Sequence, residues 1–146
     1  MRKQNFRPLV AGIALLSTQA FAASIPVSTV QEAQTLLSRG VPVSVAVDLG
    51  RCKPADATTP PITVRGGVKI DDYQITPDGT LSFADSHASI DPAGRPVWQF
   101  LRYQAKLDQT VAFTSNLYSL PAYDRLAPQA AYTCKVNDGI AFFADF

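Results

Sequence analysis

The run Tyr73-Gln74-Ile75-Thr76-Pro77-Asp78-Gly79-Thr80-Leu81-Ser82-Phe83 carries a complete hairpin signal. Pro77 and Asp78 suit the two centres of a type I turn. Gly79 suits the left-handed position that follows, which makes a G1 bulge. That geometry pairs Thr76 with Thr80, Ile75 with Leu81 and Tyr73 with Phe83. Just upstream, Val68 and Ile70 alternate in one phase and Tyr73 and Ile75 in the other, so a bulge is expected at Asp71-Asp72. Downstream the meander continues. Asp91-Pro92-Ala93-Gly94-Arg95-Pro96 joins strand 80–90 to strand 97–107, and a symmetric loop would pair Ile90 with Val97. Asp85 would then face Arg102, and His87 would face Phe100. A turn at Asp108-Gln109 would pair Lys106 with Val111. A one-residue slip would turn each of these side chains to the other face.

Farther out, Val41, Val43, Val45, Val47 and Leu49 alternate with Pro42, Ser44, Ala46 and Asp48, a half-buried strand. Before it, residues 28–39 read as a helix. Ser28 or Thr29 caps it, with Gln31 or Glu32 three residues on, and Gly40 stops it. Residues 53–63 are a Pro/Thr/Ala loop, the candidate mobile segment. Residues 121–130 form a linker. Tyr132, Cys134 and Val136 alternate as another strand, Asn137-Asp138-Gly139 turns it, and Ile140 to Phe146 closes the sheet. The expected fold is mainly β: an antiparallel meander of six or seven strands forming a small barrel or sandwich, with one N-terminal helix.

The chain begins with an address. Arg2-Lys3-Gln4-Asn5-Phe6-Arg7 is basic, Pro8 to Ala20 is mostly apolar, and Ala20-Phe21-Ala22 offers small residues at the positions a signal peptidase reads. Segment 1–22 is therefore expected to be a signal peptide cut between Ala22 and Ala23, leaving 23–146 as one domain in the periplasm or secreted. The apolar stretch, 13 residues from Pro8 to Ala20, is shorter than the roughly 20 a membrane span needs. Export gives the two cysteines their meaning. Cys52 and Cys134 are an even pair for an oxidising compartment, and their spacing fits neither C-x-x-C redox chemistry nor a zinc site.

Charge narrows the partners. The 146 residues hold 13 basic and 12 acidic side chains. The leader carries three of the bases, Arg2, Lys3 and Arg7, and no acid. The remaining domain is slightly acidic and lacks the basic footprint of a nucleic-acid binder. With one His and two Cys the chain has no multi-His, zinc-finger or iron–sulfur framework, and nothing in it calls for a cofactor.

The chemistry on offer is sparse. Asp85-Ser86-His87 invites a triad reading, but on a strand Ser86 points away from Asp85 and His87, and the chain has no G-x-S-x-G elbow. Asp85 and His87 supply two metal ligands where a stable site wants three or four. No catalytic or metal residue is assigned. Asp85, His87 and Arg102 form the candidate polar patch, with Trp98, Phe100 and Tyr103 as flanking aromatics. A ligand cavity would use Arg102 to hold a carboxylate or phosphate; the plainer alternative is a structural cross-strand ion pair. The aromatics read as core before they read as a stacking platform. Ile140, Phe142, Ala144 and Phe146 share a phase like the last strand of an outer-membrane barrel. Such barrels need at least eight strands, and here charges would fall on the apolar face.

Val43–Cys52, Arg65-Gly66-Gly67, Tyr73–Gly79, Phe83–His87, Gly94 with Pro96, Phe100–Tyr103 and Cys134 with Gly139 occur in an order and spacing that resembles the VirK family of bacterial exported proteins. The resemblance runs across the whole mature chain; Asp108-Gln109 stands where that family suggests Asp-Gly. It implies an exported protein linked to host association, with no catalytic residues to transfer. Three expectations follow. The first is a non-enzymatic accessory protein that binds a small ligand or a protein partner through the open end of the sheet and the 53–63 loop, without stable membrane insertion. The second is a periplasmic enzyme using Asp85, His87 and Arg102 on an anionic substrate. The third is a small outer-membrane barrel.

Overall fold

The computed structural model describes residues 23–146. The expected signal peptide, with Ala22 on one side of its cleavage point, lies outside the described residues. Ten strands and one α-helix follow in the order β1 (Ser24–Val27), α1 (Val30–Ser38), β2 (Val43–Asp48), β3 (Lys53–Pro54), β4 (Arg65–Ile70), β5 (Tyr73–Ile75), β6 (Leu81–Ile90), β7 (Pro96–Ala105), β8 (Thr110–Ser119), β9 (Ala130–Val136) and β10 (Gly139–Asp145). They make one sheet in the order β4-β2-β10-β9-β8-β7-β6-β5, with β1 on β10 and β3 on β9. The class is as expected, but the strand count is ten rather than six or seven. Two of the additional strands are β1 and β3, each containing a proline and each at most four residues long. Local patterning does not mark such strands, because only a distant partner makes them strands.

The sheet curls into a nearly closed barrel. β4 and β5 are the two ends of the strand order, and only Asp71-Asp72 separates them along the chain. This pair is therefore not a bulge within one ladder. It is the point where the chain exchanges one partner strand for another: β4 pairs with β2, and β5 pairs with β6. Beyond Phe83, β6 has no neighbour on that side, and a seam opens between β4 and the outer half of β6.

One end of the barrel is plugged by α1. The Thr29 side chain accepts the Glu32 backbone N–H at 3.2 Å, and Glu32 accepts from the Ser28 N–H at 2.9 Å, a reciprocal capping box. Val30, Ala33 and Leu37 are buried. The Gln34 amide donates to the Gly79 carbonyl at 2.7 Å, and the Gln109 side chain accepts from the Val30 N–H at 2.9 Å. The helix is thereby fastened to the turns at the base of the sheet. Above it, inward-facing Val43, Val45, Phe83, Tyr103, Phe113, Tyr132 and Phe142 make one core. The Phe83 and Tyr103 rings stack at 4.8 Å.

All three hairpins of the meander use the same five-residue turn. Thr76 closes on Thr80, Asp91 on Arg95 and Lys106 on Thr110, and the fourth residue of each turn has positive φ: Gly79 (79°), Gly94 (79°) and Gln109 (66°). The aspartate in each turn accepts hydrogen bonds across it. Those from the Thr76 and Thr80 hydroxyls hold Asp78 below the usual carboxylate range, the Arg95 backbone and side chain do so for Asp91, and the Thr110 hydroxyl and N–H do so for Asp108. The first hairpin pairs as expected, with Ile75 on Leu81 and Tyr73 on Phe83. The other two are displaced by one residue. Ile90 pairs with Pro96 rather than Val97, and Ala105 rather than Lys106 pairs with Val111. Asp85 consequently lies opposite Leu101, and His87 lies opposite Gln99.

The disulfide is present. Cys52 and Cys134 are bonded, with Cα atoms 4.4 Å apart across 82 residues of sequence. Cys52 follows a short turn of 3₁₀ helix at Leu49–Arg51, and Cys134 lies on β9. Gly139 lies beneath the bridge. It has φ 102°, and a Cβ there would be 2.8 Å from the Cys52 sulfur.

Candidate functional site

The end of the barrel opposite α1 is open, and a cavity of about 340 Å³ lies there. Tyr103, Phe113 and Tyr132 form its floor. Leu49, Leu101, Ile62 and Val64 form apolar walls, and Gly66 and Gly67 flank the seam. A Cβ on Gly67 would be 2.8 Å from the Val45 carbonyl oxygen, so glycine lets β4 approach β2 this closely. Asp85, His87, Gln99 and Ser115 bring the polar groups. The 55–63 stretch lies along β9 as one side of the cup. Ala55 donates its N–H to the Ala131 carbonyl at 2.8 Å, the Thr59 hydroxyl accepts the Ala131 N–H at 3.2 Å, and the Tyr132 hydroxyl donates to the Pro60 carbonyl at 2.7 Å.

Asp85 and His87 meet at the mouth, where His87 Nδ1 lies 3.0 Å from Asp85 Oδ2. The Gln99 amide donates to the Ser115 hydroxyl at 3.1 Å on the facing strands. Tyr103 is 2 % exposed, and its hydroxyl has no hydrogen-bond partner among the described residues. Burial, with the nearby charge of Asp85, pushes the phenol up to about 12. Burial also pushes the Tyr132 phenol up.

The sign of the resulting stability effect follows from proton binding. A phenol titrating near 12 when folded and near 10 when unfolded contributes its full share below pH 10. The native state then keeps a proton that the unfolded chain releases, so this share is lost as pH rises from 10 to about 12. We expect the urea midpoint of the wild type to fall across that window by the equivalent of about 2–3 kcal/mol. Tyr103→Phe should show a visibly flatter decline; equal slopes for the two proteins would contradict the assignment.

The predicted patch is thus divided. Asp85 and His87 come together with Tyr103 on the inner face. Arg102 pairs with Ala84 and Thr114 on the outer face and is exposed, as are the Phe100 ring and, in part, Trp98. The correction comes from the five-residue turns, since a one-residue shift exchanges the two faces of a strand. Ser86, by alternation, also points outward. Sequence reasoning missed Gln99, Ser115, Phe113 and Tyr132 as cup residues, and the same turn signal in Asp91–Arg95 would have found the first.

Arg102 faces a larger concavity of about 670 Å³, lined also by Phe100, Thr114 and Asn116. It is an open trough on the outside of the sheet. Trp98, Phe100 and Tyr118 run beside it, with ring centroids 6.1 and 5.7 Å apart in sequence, and Arg125 lies over Tyr118. The cup is the better-formed site despite its smaller volume, because it is enclosed and combines apolar walls with convergent polar groups.

Fold and site define a small disulfide-linked β-barrel, plugged by a helix at one end and cupped at the other. The family model described as VirK protein matches residues 26–123. The chain belongs to the VirK family. It is 45% identical over 132 residues to the uncharacterized protein y4wH of Sinorhizobium fredii strain NGR234, covering 89% of this chain and 91% of that protein. It is 42% identical over 131 residues to an uncharacterized protein in the pinF2 3' region of Rhizobium radiobacter, covering 88% and 90%. The crystal structure of lpg1832, a VirK family protein from Legionella pneumophila, shares the fold with a TM-score of 0.72 at 18% identity, covering 82% of this chain and 98% of that one.

Proposed function

We propose that the protein is an exported, non-enzymatic accessory protein that binds a small ligand in the cup during host association. The observation that carries this is the cup itself, where apolar walls converge with Asp85, Gln99, Ser115 and the Tyr103 hydroxyl. Export to the periplasm or the medium is supported by the disulfide, which persists in oxidising compartments. No helix among the described residues is long and apolar enough to cross a membrane. The faces argue against a membrane barrel even with ten strands. Aromatic side chains fill the inside, whereas Arg102, Gln104, Thr114 and Asn116 face out, the reverse of a lipid-facing surface. The enzyme reading loses Arg102, which does not converge with Asp85 and His87.

Nonan-1-ol has about the volume of the cavity, at roughly 30 Å³ per water-sized unit. Calorimetric titration should show it bound by the wild type and at least ten-fold more weakly by Ser115→Trp, whose indole would fill the cup. Equal binding by a folded Ser115→Trp protein, or none by either, would remove the cup as the site.

A further inference from the structure

We propose that the cup selects a ligand bearing a cationic amino group on an apolar body, with Asp85 holding the ammonium at the mouth. The inference rests on the cup being the binding site and adds the charge of what enters it. The chain's arrangement of charge carries it. Asp85 is the acid that lines the cavity. Arg102, which the sequence suggested as its counter-ion, lies on the outer face, where it reaches neither Asp85 nor the cavity. Arg65, the cation at the rim, is bound to Asp48 at 2.8 Å and is mostly solvated. His87 occupies Oδ2 of Asp85, and Oδ1 makes no hydrogen bond among the described residues. One carboxylate oxygen of this cavity-lining residue is thus free to accept.

The groups below it suit the same ligand. Tyr103 lines the cavity, and its hydroxyl, which makes no hydrogen bond among the described residues, can accept a second ammonium hydrogen. The Tyr103 and Phe113 rings, with centroids 5.0 Å apart, both line the cavity, and aromatic rings attract a desolvated cation. Leu101, Ile62 and Val64 take the hydrocarbon. An anionic ligand of the same size would bring its charge against Asp85 in a partly desolvated site, which repels it.

The test uses three probes of one chain length, nonylamine, nonan-1-ol and nonanoate, each titrated calorimetrically into the full exported protein at pH 8 below its micelle concentration. The expected order is amine tightest, then alcohol, then carboxylate, with at least ten-fold between the amine and the carboxylate. Asp85→Asn should keep alcohol binding within about three-fold of wild type and bring the amine and carboxylate within about three-fold of each other. Nonanoate binding as tightly as nonylamine, or an Asp85→Asn protein that keeps the preference, overturns the charge assignment and leaves the cup standing. Silence from all three probes overturns the cup itself, and this inference with it.

Discussion

Replacing Cys52 and Cys134 together by serine should lower unfolding stability by about 4–5 kcal/mol on the chain-entropy model of a loop this long. That is a large part of the roughly 5–15 kcal/mol a domain of this kind has in total. The bridge spans 82 residues, which include β3 to β8 and all three hairpins. It ties the end of β2 to β9, the strands on either side of β10, and Gly139 passes directly beneath it. Without it, the unfolded chain regains the freedom of nearly the whole meander. Urea unfolding of the oxidised wild type against the double variant measures this directly. A difference below about 1 kcal/mol would mean that strain in the folded bridge offsets the entropy it removes.

The second large effect is expected at Phe142. It sits on β10 between Val27 of β1 and Val45 of β2, with no solvent exposure, and its ring meets Phe83 edge-on at 6.5 Å. Truncation to alanine leaves a cavity where strands from both ends of the sheet converge. Phe→Ala changes in cores cost about 3–5 kcal/mol. Phe143, its neighbour in sequence, faces the other way and is only half-buried, so Phe143→Ala should cost about 1 kcal/mol or less. Thermal and urea unfolding of both variants checks the pair. Equal costs would place the wrong face of β10 inward.

The meander could be read from the sequence because its signals are local. Pro77-Asp78-Gly79 fixes its own turn, alternating valines mark β2, and Thr29 with Glu32 marks the start of α1. The candidate site could be read only in part, for reasons found in two turns. Asp91-Pro92-Ala93-Gly94-Arg95 has the same grammar as the first turn, with glycine fourth, but Pro96 invites a longer symmetric loop. Lys106–Thr110 places Gln109 in the left-handed position, where glycine is the usual signal. Each missed residue moved a register by one; with period two the first shift exchanges the faces of β7, and the second cancels it at β8, so Ser115 and Phe113 keep the face expected of them. The consequence is chemical as well as geometric. A pocket expected to offer arginine to an anion instead offers Asp85, and Arg102 faces outward. Barrel closure, β1 and β3 depend on pairing between distant segments, and no local pattern encodes it.

The most direct measurement is an NMR titration of the oxidised protein, residues 23–146, with nonan-1-ol, a probe that leaves the question of charge aside. The account predicts that saturable shifts concentrate on Leu101, Tyr103, Phe113, Tyr132 and the Gln99 side-chain amide, all of the cup. Shifts confined to the outer trough around Phe100, Arg102 and Tyr118, or no saturable shifts, would contradict it.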